Sequence, residues 1–154
     1  MPTHAETRIV PYGPDEMYAL IADVGRYPEF LPWVSAARIR SRTPLPEGEG
    51  EGEVVDADLV ISFKVFRERF GSRVTLRPAE RTILVEYLDG PFRYLRNHWK
   101  FLPAPGGACE VDFFVDFEFR SVILQKVIGL VFHEAMQRVV RAFERRAEEL
   151  YGRR

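Results

Sequence analysis

The residues from Cys109 to Arg120 alternate between apolar and mostly charged side chains. This period of two predicts a half-buried antiparallel strand. Immediately afterwards the period changes, and apolar residues recur at helical spacing from Ser121 to about Gly152. That stripe comprises Leu124, Val127, Ile128, Val131, Ala135, Val139 and Phe143. One apolar sheet face and one apolar helix stripe predict a long helix held against a curved sheet, with an apolar hollow between them.

The rest of the chain predicts more strands and a short helical pair. Gly13-Pro14-Asp15 opens a helix that ends near Val24, because Pro and acidic residues favour a helix N-terminus. A short helical turn is expected at 29–33. Further strands are predicted at 3–10, 33–42, 53–63, 66–76, 81–88 and 94–102. The order predicts an α+β fold with seven strands around a C-terminal helix, in a single domain over residues 1–154.

Composition limits the classes of function. The chain has 154 residues and a formal net charge of -1, which argues against a dedicated nucleic-acid binder. Its one cysteine excludes an internal disulfide and an all-Cys metal site. The N-terminus shows no signal peptide, and the apolar part of the last helix is too short and too polar to span a bilayer. A cytoplasmic location is therefore expected.

Two polar residues fall on faces of the predicted sheet that otherwise point inward. Glu68 lies between Phe66 and Phe70, and Asn97 lies between two apolar neighbours. A buried polar group costs about 1–3 kcal/mol unless it is hydrogen-bonded. Such residues fit a cavity that orients the polar head of a ligand. The alternatives are a bond to the backbone or to buried water, or a bulge that shifts the alternation.

Three other features allow two interpretations each. The inward aromatic residues line either a pocket or a packed core. The arginines at 38, 40, 42, 67, 69, 73 and 77 form either a basic surface for anionic lipid or RNA, or a solvated face with cross-strand pairs to nearby acids. The segment YPEFLPW, residues 27–33, forms either a lid at an entrance or a plug over one end of the core.

Signals for catalysis are weak. The three histidines are scattered, and His133-Glu134 lacks the second histidine of a zinc motif. Cys109 lies on an inward face and is typical of a small buried side chain. No pair of inward carboxylates is evident. The sequence therefore predicts no catalytic residue, no metal site and no enzyme activity.

Several motifs resemble one known family. Tyr27-Pro28-x-Phe30-Leu31-Pro32-Trp33 is similar to the signature of ubiquinone-binding START-like proteins and their RatA-type bacterial relatives. Glu68-x-Phe70, Trp99-x-Phe101 and Phe117-Glu118-Phe119 also match, as do Val74, Phe132, Met136 and Phe143. The resemblance covers essentially the whole chain, although Val34 stands where family members often have cysteine. It implies the helix-grip (START/Bet v 1-like, polyketide cyclase-like) fold.

The resemblance also implies a function. A carrier or chaperone would hold ubiquinone or a related isoprenoid lipid between sheet and helix, with no other cofactor, and would support respiratory electron transport. Peripheral contact with the inner face of the cytoplasmic membrane is left open, and the oligomeric state is not defined. The alternatives are a RatA-type toxin that associates with the ribosome and blocks subunit joining, and an aromatase/cyclase-like enzyme.

Candidate site residues follow from the inward faces. The ligand-binding set is Phe66, Glu68, Phe70, Tyr87, Asn97, Trp99, Phe101, Phe113, Phe117, Phe119, Leu124, Val127, Val131 and Ala135. The entrance is expected at Tyr27, Phe30, Leu31 and Trp33.

Overall fold

A computed structural model describes residues 3–63 and 66–153, apart from the side chains of Phe63 and Phe66. Strand β1 (Thr3–Val10) is followed by helix α1 (Pro14–Ala22) and a 3-10 helix (Val24–Glu29). Six strands and a long helix complete the fold. They are β2 (Val34–Pro44), β3 (Glu53–Phe63), β4 (Phe66–Arg77), β5 (Thr82–Asp89), β6 (Phe92–Ala104), β7 (Ala108–Phe119) and α2 (Val122–Tyr151).

All seven strands form one antiparallel sheet in the order β1-β7-β6-β5-β4-β3-β2. Each strand from β2 to β7 lies beside its neighbour in sequence, and β1 joins at the far side of β7. Helix α1 packs against β6 and β7, and α2 packs against β1, β7 and α1. The α+β helix-grip architecture predicted from the sequence is confirmed.

The ends of α2 explain why the sequence located it closely. The Ser121 side chain accepts a hydrogen bond from the Leu124 N–H at 3.3 Å and so caps the first turn. At the other end, Gly152 has a φ of 84°, and its N–H bonds to the Glu148 carbonyl. The helix runs over Val122–Tyr151, one residue inside each predicted end.

Tyrosines fix the far end of α2 to the start of the chain. The Tyr12 hydroxyl donates to the Gly152 carbonyl at 2.9 Å, and the Tyr151 hydroxyl donates to the Glu16 carbonyl at 2.9 Å. Since α2 starts directly after β7, the helix begins at one end of the sheet and is anchored at the opposite end, beside α1.

Strand β2 departs from the simple alternation. Its pairing with β3 shifts register between Val34 and Ala36 and again between Ile39 and Ser41. Arg38 stands opposite Asp58, whereas Arg42 stands opposite Val55. The expectation that the arginines at 38, 40 and 42 share one face is wrong, because a bulge adds one residue to the strand at position 40.

Several surface arginines of the sheet are engaged in cross-strand pairs. Asp58 accepts hydrogen bonds from both Arg40 and Arg69, and Arg73 binds Asp56 through two bonds of 2.9 and 3.0 Å. These contacts keep the pKa of Asp56 and Asp58 below the usual value, chiefly through the hydrogen bonds from Arg73 and Arg40 respectively. The structure supports the solvated, ion-paired interpretation of this face.

An apolar cavity at the open end of the helix grip

A cavity of about 210 Å³ lies between the first half of α2 and one end of the sheet. Trp33 at the start of β2, Ile61 near the end of β3 and Phe119 at the end of β7 form the sheet side. The helix side consists of Leu124, Val127, Ile128, Val131, Glu134, Ala135 and Arg138. The helix-grip geometry thus leaves space where α2 begins.

The lining of this cavity is almost entirely apolar. Glu134 and Arg138 are its charged members, and Arg138 Nη2 lies 3.4 Å from Glu134 Oε1. The backbone of Trp33 has a φ of 67°, in the left-handed region that bulky residues rarely adopt. A strained aromatic residue at the cavity wall is typical of functional sites, where surrounding contacts hold an otherwise unfavourable conformation.

The predicted ligand-binding residues divide into two groups. Phe119, Leu124, Val127, Val131 and Ala135 line the cavity. The second group lies in the packed core: Phe70, Trp99, Phe101, Phe113 and Phe117 are buried with other aromatic rings against them. The predicted residue Phe66 falls outside the described side chains.

Phe143 fills the space beneath the second half of α2. Its ring centroid is 5.3 Å from that of Trp99, 5.4 Å from that of Phe30 and 5.7 Å from that of Tyr27. Edge-on aromatic packing of this kind leaves little free volume. The apolar hollow between sheet and helix therefore lies beneath the first half of α2.

The polar residues proposed to orient a ligand do not line the cavity, because they are hydrogen-bonded within the sheet or exposed. The Asn97 amide donates to the Phe114 carbonyl at 2.8 Å and accepts from Trp99 Nε1 at 3.1 Å. The Tyr87 hydroxyl accepts from the Phe92 N–H at 3.0 Å. Glu68 pairs with Ile61 at the cavity end of the sheet, but its side chain is exposed and does not line the cavity. Arg138 and Glu134 are the polar residues at the cavity instead.

The entrance segment is also divided. Trp33 lines the cavity, whereas Tyr27 and Phe30 pack against Phe143, and the Tyr27 hydroxyl donates to the Ile21 carbonyl. Burial raises the pKa of Tyr27 above its ordinary value. Phe30 and Leu31 form one wall of a second groove, whose opposite wall carries basic residues of α2. Most of this segment therefore closes the core.

An inward polar network at the opposite side of the helix was not predicted. Glu6 and Arg8 lie on β1, where Arg8 Nε is 3.1 Å from Glu6 Oε2, and Arg8 also pairs with Glu144 of α2. Two carboxylates, those of Glu6 and Glu144, thus share one arginine on this side of α2. These residues border a space of only about 30 Å³, which suits about one water molecule and leaves no room for a substrate.

Other reactive groups offer no alternative site. Cys109 is fully buried, and this burial raises the pKa of its thiol to about 11, which suppresses the nucleophilic thiolate. Within residues 3–63 and 66–153, no cluster of three or more His, Cys, Asp or Glu side chains is placed to hold a metal ion. The helices in the same part of the chain include none long and apolar enough to cross a bilayer.

The sequence contained part of the signal for the residues that were missed. Ile61 and Ile128 belong to the alternating and helical patterns, so their faces were predictable. Glu134 and Arg138 follow Val131 by three and seven positions, which continues the same helix face beyond its apolar part. Both residues are charged, so a pattern of apolar residues does not include them.

Comparisons with known proteins agree with this geometry. A profile of the family described as polyketide cyclase / dehydrase and lipid transport matches residues 10–144. The ribosome association toxin RatA of Rickettsia prowazekii is 39% identical over 147 residues, covering 94% of each chain. The mitochondrial coenzyme Q-binding protein COQ10 homolog B of Xenopus laevis is 30% identical, covering 97% of this chain and 59% of that protein.

A solved structure shows the same fold. The solution structure of an 18 kDa protein from Caulobacter crescentus superposes with a TM-score of 0.79 at 35% sequence identity. The match covers 99% of this chain and 100% of the other.

Proposed function

The chain belongs to the polyketide cyclase / dehydrase and lipid transport family, and on that basis we propose that it binds ubiquinone or a related isoprenoid lipid. The ligand's apolar part occupies the cavity between α2 and the end of the sheet. The protein acts as a carrier or chaperone that supports respiratory electron transport, without catalysing a reaction and without a further cofactor.

One observation carries the proposal: among the described residues, the cavity's lining is aliphatic and aromatic, with charge confined to Glu134 and Arg138. An apolar lining of this kind favours hydrocarbon over water by about 25 cal/mol for each Å² of apolar surface buried. The similarity to a protein named as coenzyme Q-binding supports an isoprenoid quinone as the ligand.

The size of the cavity determines how a long tail is held. Its volume of about 210 Å³ is below the roughly 300–1,000 Å³ of a pocket that encloses a drug-sized ligand. Next to it, Val122, Ile123, Val127 and Leu130 are exposed on the first turns of α2. The tail therefore extends from the cavity along this apolar surface, which also supplies peripheral contact with the inner face of the cytoplasmic membrane.

Two apolar residues of α2 allow a matched test. Val131 lines the cavity, whereas Leu150 is 51% exposed near the other end of the helix and does not line it. We expect Val131→Glu to remove bound lipid, because a carboxylate in an apolar cavity is costly. Leu150→Glu adds the same charge at the surface, away from the cavity and from the exposed apolar residues beside it, and should leave lipid binding intact.

The measurement is mass spectrometry of organic extracts from both variants and the wild type, all purified without detergent. Circular dichroism and thermal melts check that both variants fold. Quinone retained by folded Val131→Glu at the wild-type level, or no lipid in any of the three proteins, would contradict the proposal.

A second function is favoured by the degree of similarity to RatA of Rickettsia prowazekii, which exceeds that to the coenzyme Q-binding relative. Ribosome association needs free cationic side chains. Arg40, Arg69 and Arg73 of the sheet are paired with aspartates, so such a contact would fall to the arginines of α2, of which Arg141 has a single contact to the Gln137 carbonyl. Co-sedimentation with ribosomes at low and moderate salt distinguishes the functions, because phosphate contacts weaken steeply as salt rises. Salt-sensitive co-sedimentation, with no lipid in the extract, would favour the second function.

A further inference from the structure

A second concavity adjoins the apolar cavity. It is a groove of about 490 Å³ between the entrance segment and the middle of α2. Its walls are formed by Pro28, Glu29, Phe30, Leu31 and Pro32 on one side and by Arg138, Arg141, Ala142 and Arg145 on the other. We call this the arginine groove.

The arginine groove has a net positive charge. Its three arginines are spaced three and four residues apart, so they follow one another along one side of α2. Glu29 is the only acid among the lining residues, and it is already engaged with Arg146 at 2.8 Å and Arg26 at 3.3 Å. Arg146 also lies over the Phe30 ring, 5.2 Å from its centroid, and so holds the opposite wall in place.

The three groove arginines retain most of their hydrogen-bonding capacity. A guanidinium carries five N–H donors. Arg138 makes one long contact of 3.4 Å to Glu134, and Arg141 donates to the Gln137 carbonyl at 3.3 Å. Arg145 forms no ion pair or hydrogen bond with any residue in 3–63 or 66–153. Open guanidinium donors that converge on a groove are the usual means of binding phosphate or carboxylate.

Arg138 lines both the arginine groove and the apolar cavity. An occupant that extends from one to the other therefore meets hydrocarbon at one end and guanidinium groups at the other. We propose that the arginine groove binds the anionic head of an amphiphile, a phosphate or carboxylate, whose apolar chain lies in the cavity. The place of the ligand's apolar chain rests on the proposed function, whereas the place of its anionic head rests on the groove alone.

The consequence is a preference among lipids. An uncharged quinone head uses the cavity but gains little from the arginine groove. An isoprenoid phosphate, a fatty acid or an anionic phospholipid uses both. Among amphiphiles with apolar chains of equal length, those with an anionic head should therefore bind more tightly than those with an uncharged head.

The test compares dodecyl phosphate with dodecanol, which share a chain and differ in the head. Calorimetry with the wild type should show that dodecyl phosphate binds about tenfold more tightly or better. In the double variant Arg141→Gln/Arg145→Gln, dodecyl phosphate should fall to the affinity of dodecanol, whose own binding stays unchanged. The variant Arg141→Lys/Arg145→Lys should recover part of the preference, because the positive charge is kept.

Arg93→Gln is the control for loss of a surface charge. Arg93 is 61% exposed and pairs with Glu118 on the sheet, outside the groove and the cavity. This variant should keep the wild-type preference for dodecyl phosphate. Equal affinity of wild type for the two probes, or a preference that survives in the double Gln variant, would overturn the inference while the proposed function stands. Failure of dodecanol to bind would count against the proposed function itself.

Three further arms identify the source of the anion. Phosphatidylcholine vesicles with and without phosphatidylglycerol test a membrane headgroup, and Arg-dependent binding to the anionic vesicles alone supports one. Inorganic phosphate that binds as tightly as dodecyl phosphate would overturn the link between groove and cavity. So would a short RNA that binds through Arg141 and Arg145 while neither amphiphile does.

Discussion

At the scale of single residues, Tyr18 carries a buried hydroxyl that the fold leaves unsatisfied. No residue within 3–63 or 66–153 accepts or donates a hydrogen bond to this hydroxyl. Burial, with a smaller contribution from Glu53, raises its pKa to about 12. The ring itself packs edge-on against Phe101, with centroids 5.8 Å apart. The ring of Tyr18 therefore stabilises the core by packing, whereas its unbonded hydroxyl lowers the stability of the fold.

We expect Tyr18→Phe to stabilise the protein by about 1 kcal/mol, because it removes a polar group that lost its water and gained no partner. Urea unfolding at neutral pH measures this. Tyr12→Phe is the matched control, since the Tyr12 hydroxyl donates to the Gly152 carbonyl, and it should destabilise by about 1 kcal/mol. Equal losses for the two variants would show that the Tyr18 hydroxyl is bonded after all.

Alternation indicates which face of the sheet a side chain lies on, but it does not indicate which partner the side chain bonds or how exposed it is. Asn97 and Glu68 both lie on inward-parity positions, yet Asn97 is bonded within the sheet and Glu68 is exposed. On β1 the burial runs against residue type, because Ile9 is 64% exposed while Arg8 pairs with Glu144 of α2. A charged partner on a distant helix, Glu144, decides that orientation and cannot be read locally.

At the scale of elements, the exposed side of α2 changes from apolar to basic along the helix. Ile123, Val127 and Leu130 are exposed on its first turns, whereas Arg138 and Arg141 occupy its middle. Gly129 lies within the apolar part, and a Cβ built there would meet no atom within 4 Å. A glycine inside a helix costs about 1 kcal/mol relative to alanine. Its position beside the cavity fits a helix start that loosens to admit a ligand.

Gly129→Ala should therefore raise the free energy of unfolding by about 1 kcal/mol. It should also slow the release of a fluorescent apolar probe, because opening the cavity would then bend a stiffer helix. Stopped-flow release and urea unfolding measure the two effects. Gln137→Ala, farther along the same helix, is the control and should leave release unchanged. A stabilised variant with unchanged release would exclude bending at Gly129.

The strands and α2 were predictable because their patterns are long. The twelve residues of β7 alternate nearly throughout, and the stripe of α2 repeats over many turns. The short elements were less well placed, since α1 ends at Ala22 and the following 3-10 helix occupies Val24–Glu29 instead of residues 29–33. A single turn has too few residues to display a period.

At the scale of the whole molecule, an ion-pair network joins four strands across the surface of the sheet. Asp58 on β3 binds Arg40 on β2 and Arg69 on β4, and both arginines reach Asp89 on β5. Gly71 makes this possible: a Cβ at that position would lie 2.7 Å from Arg40 Nη2. The network ties together strands that are far apart in sequence.

Asp58 predicts a dependence of stability on pH. Because Arg40 and then Arg69 lower its folded pKa, its contribution is present above the unfolded pKa of about 3.9 and is lost as pH falls through the folded value. Asp58→Asn should cost up to about 1 kcal/mol at pH 7 and progressively less on acidification. Urea unfolding from pH 7 to pH 2 measures the difference, which added salt should reduce.

Glu80→Gln is the control, since Glu80 is 65% exposed and lies 3.8 Å from Arg77. It should change stability little at any pH. A cost for Asp58→Asn that stays constant down to pH 2 would mean that packing, and not charge, accounts for the loss.

The two register shifts in β2 have a consequence for molecules that meet in concentrated solution. β2 is one border of an open sheet, and a straight border offers unpaired amides on which a strand from another molecule can template. The bulges kink that row, and the exposed Arg38 adds like charge between approaching copies. The sheet is thereby kept from growing into fibres by addition of strands at this border.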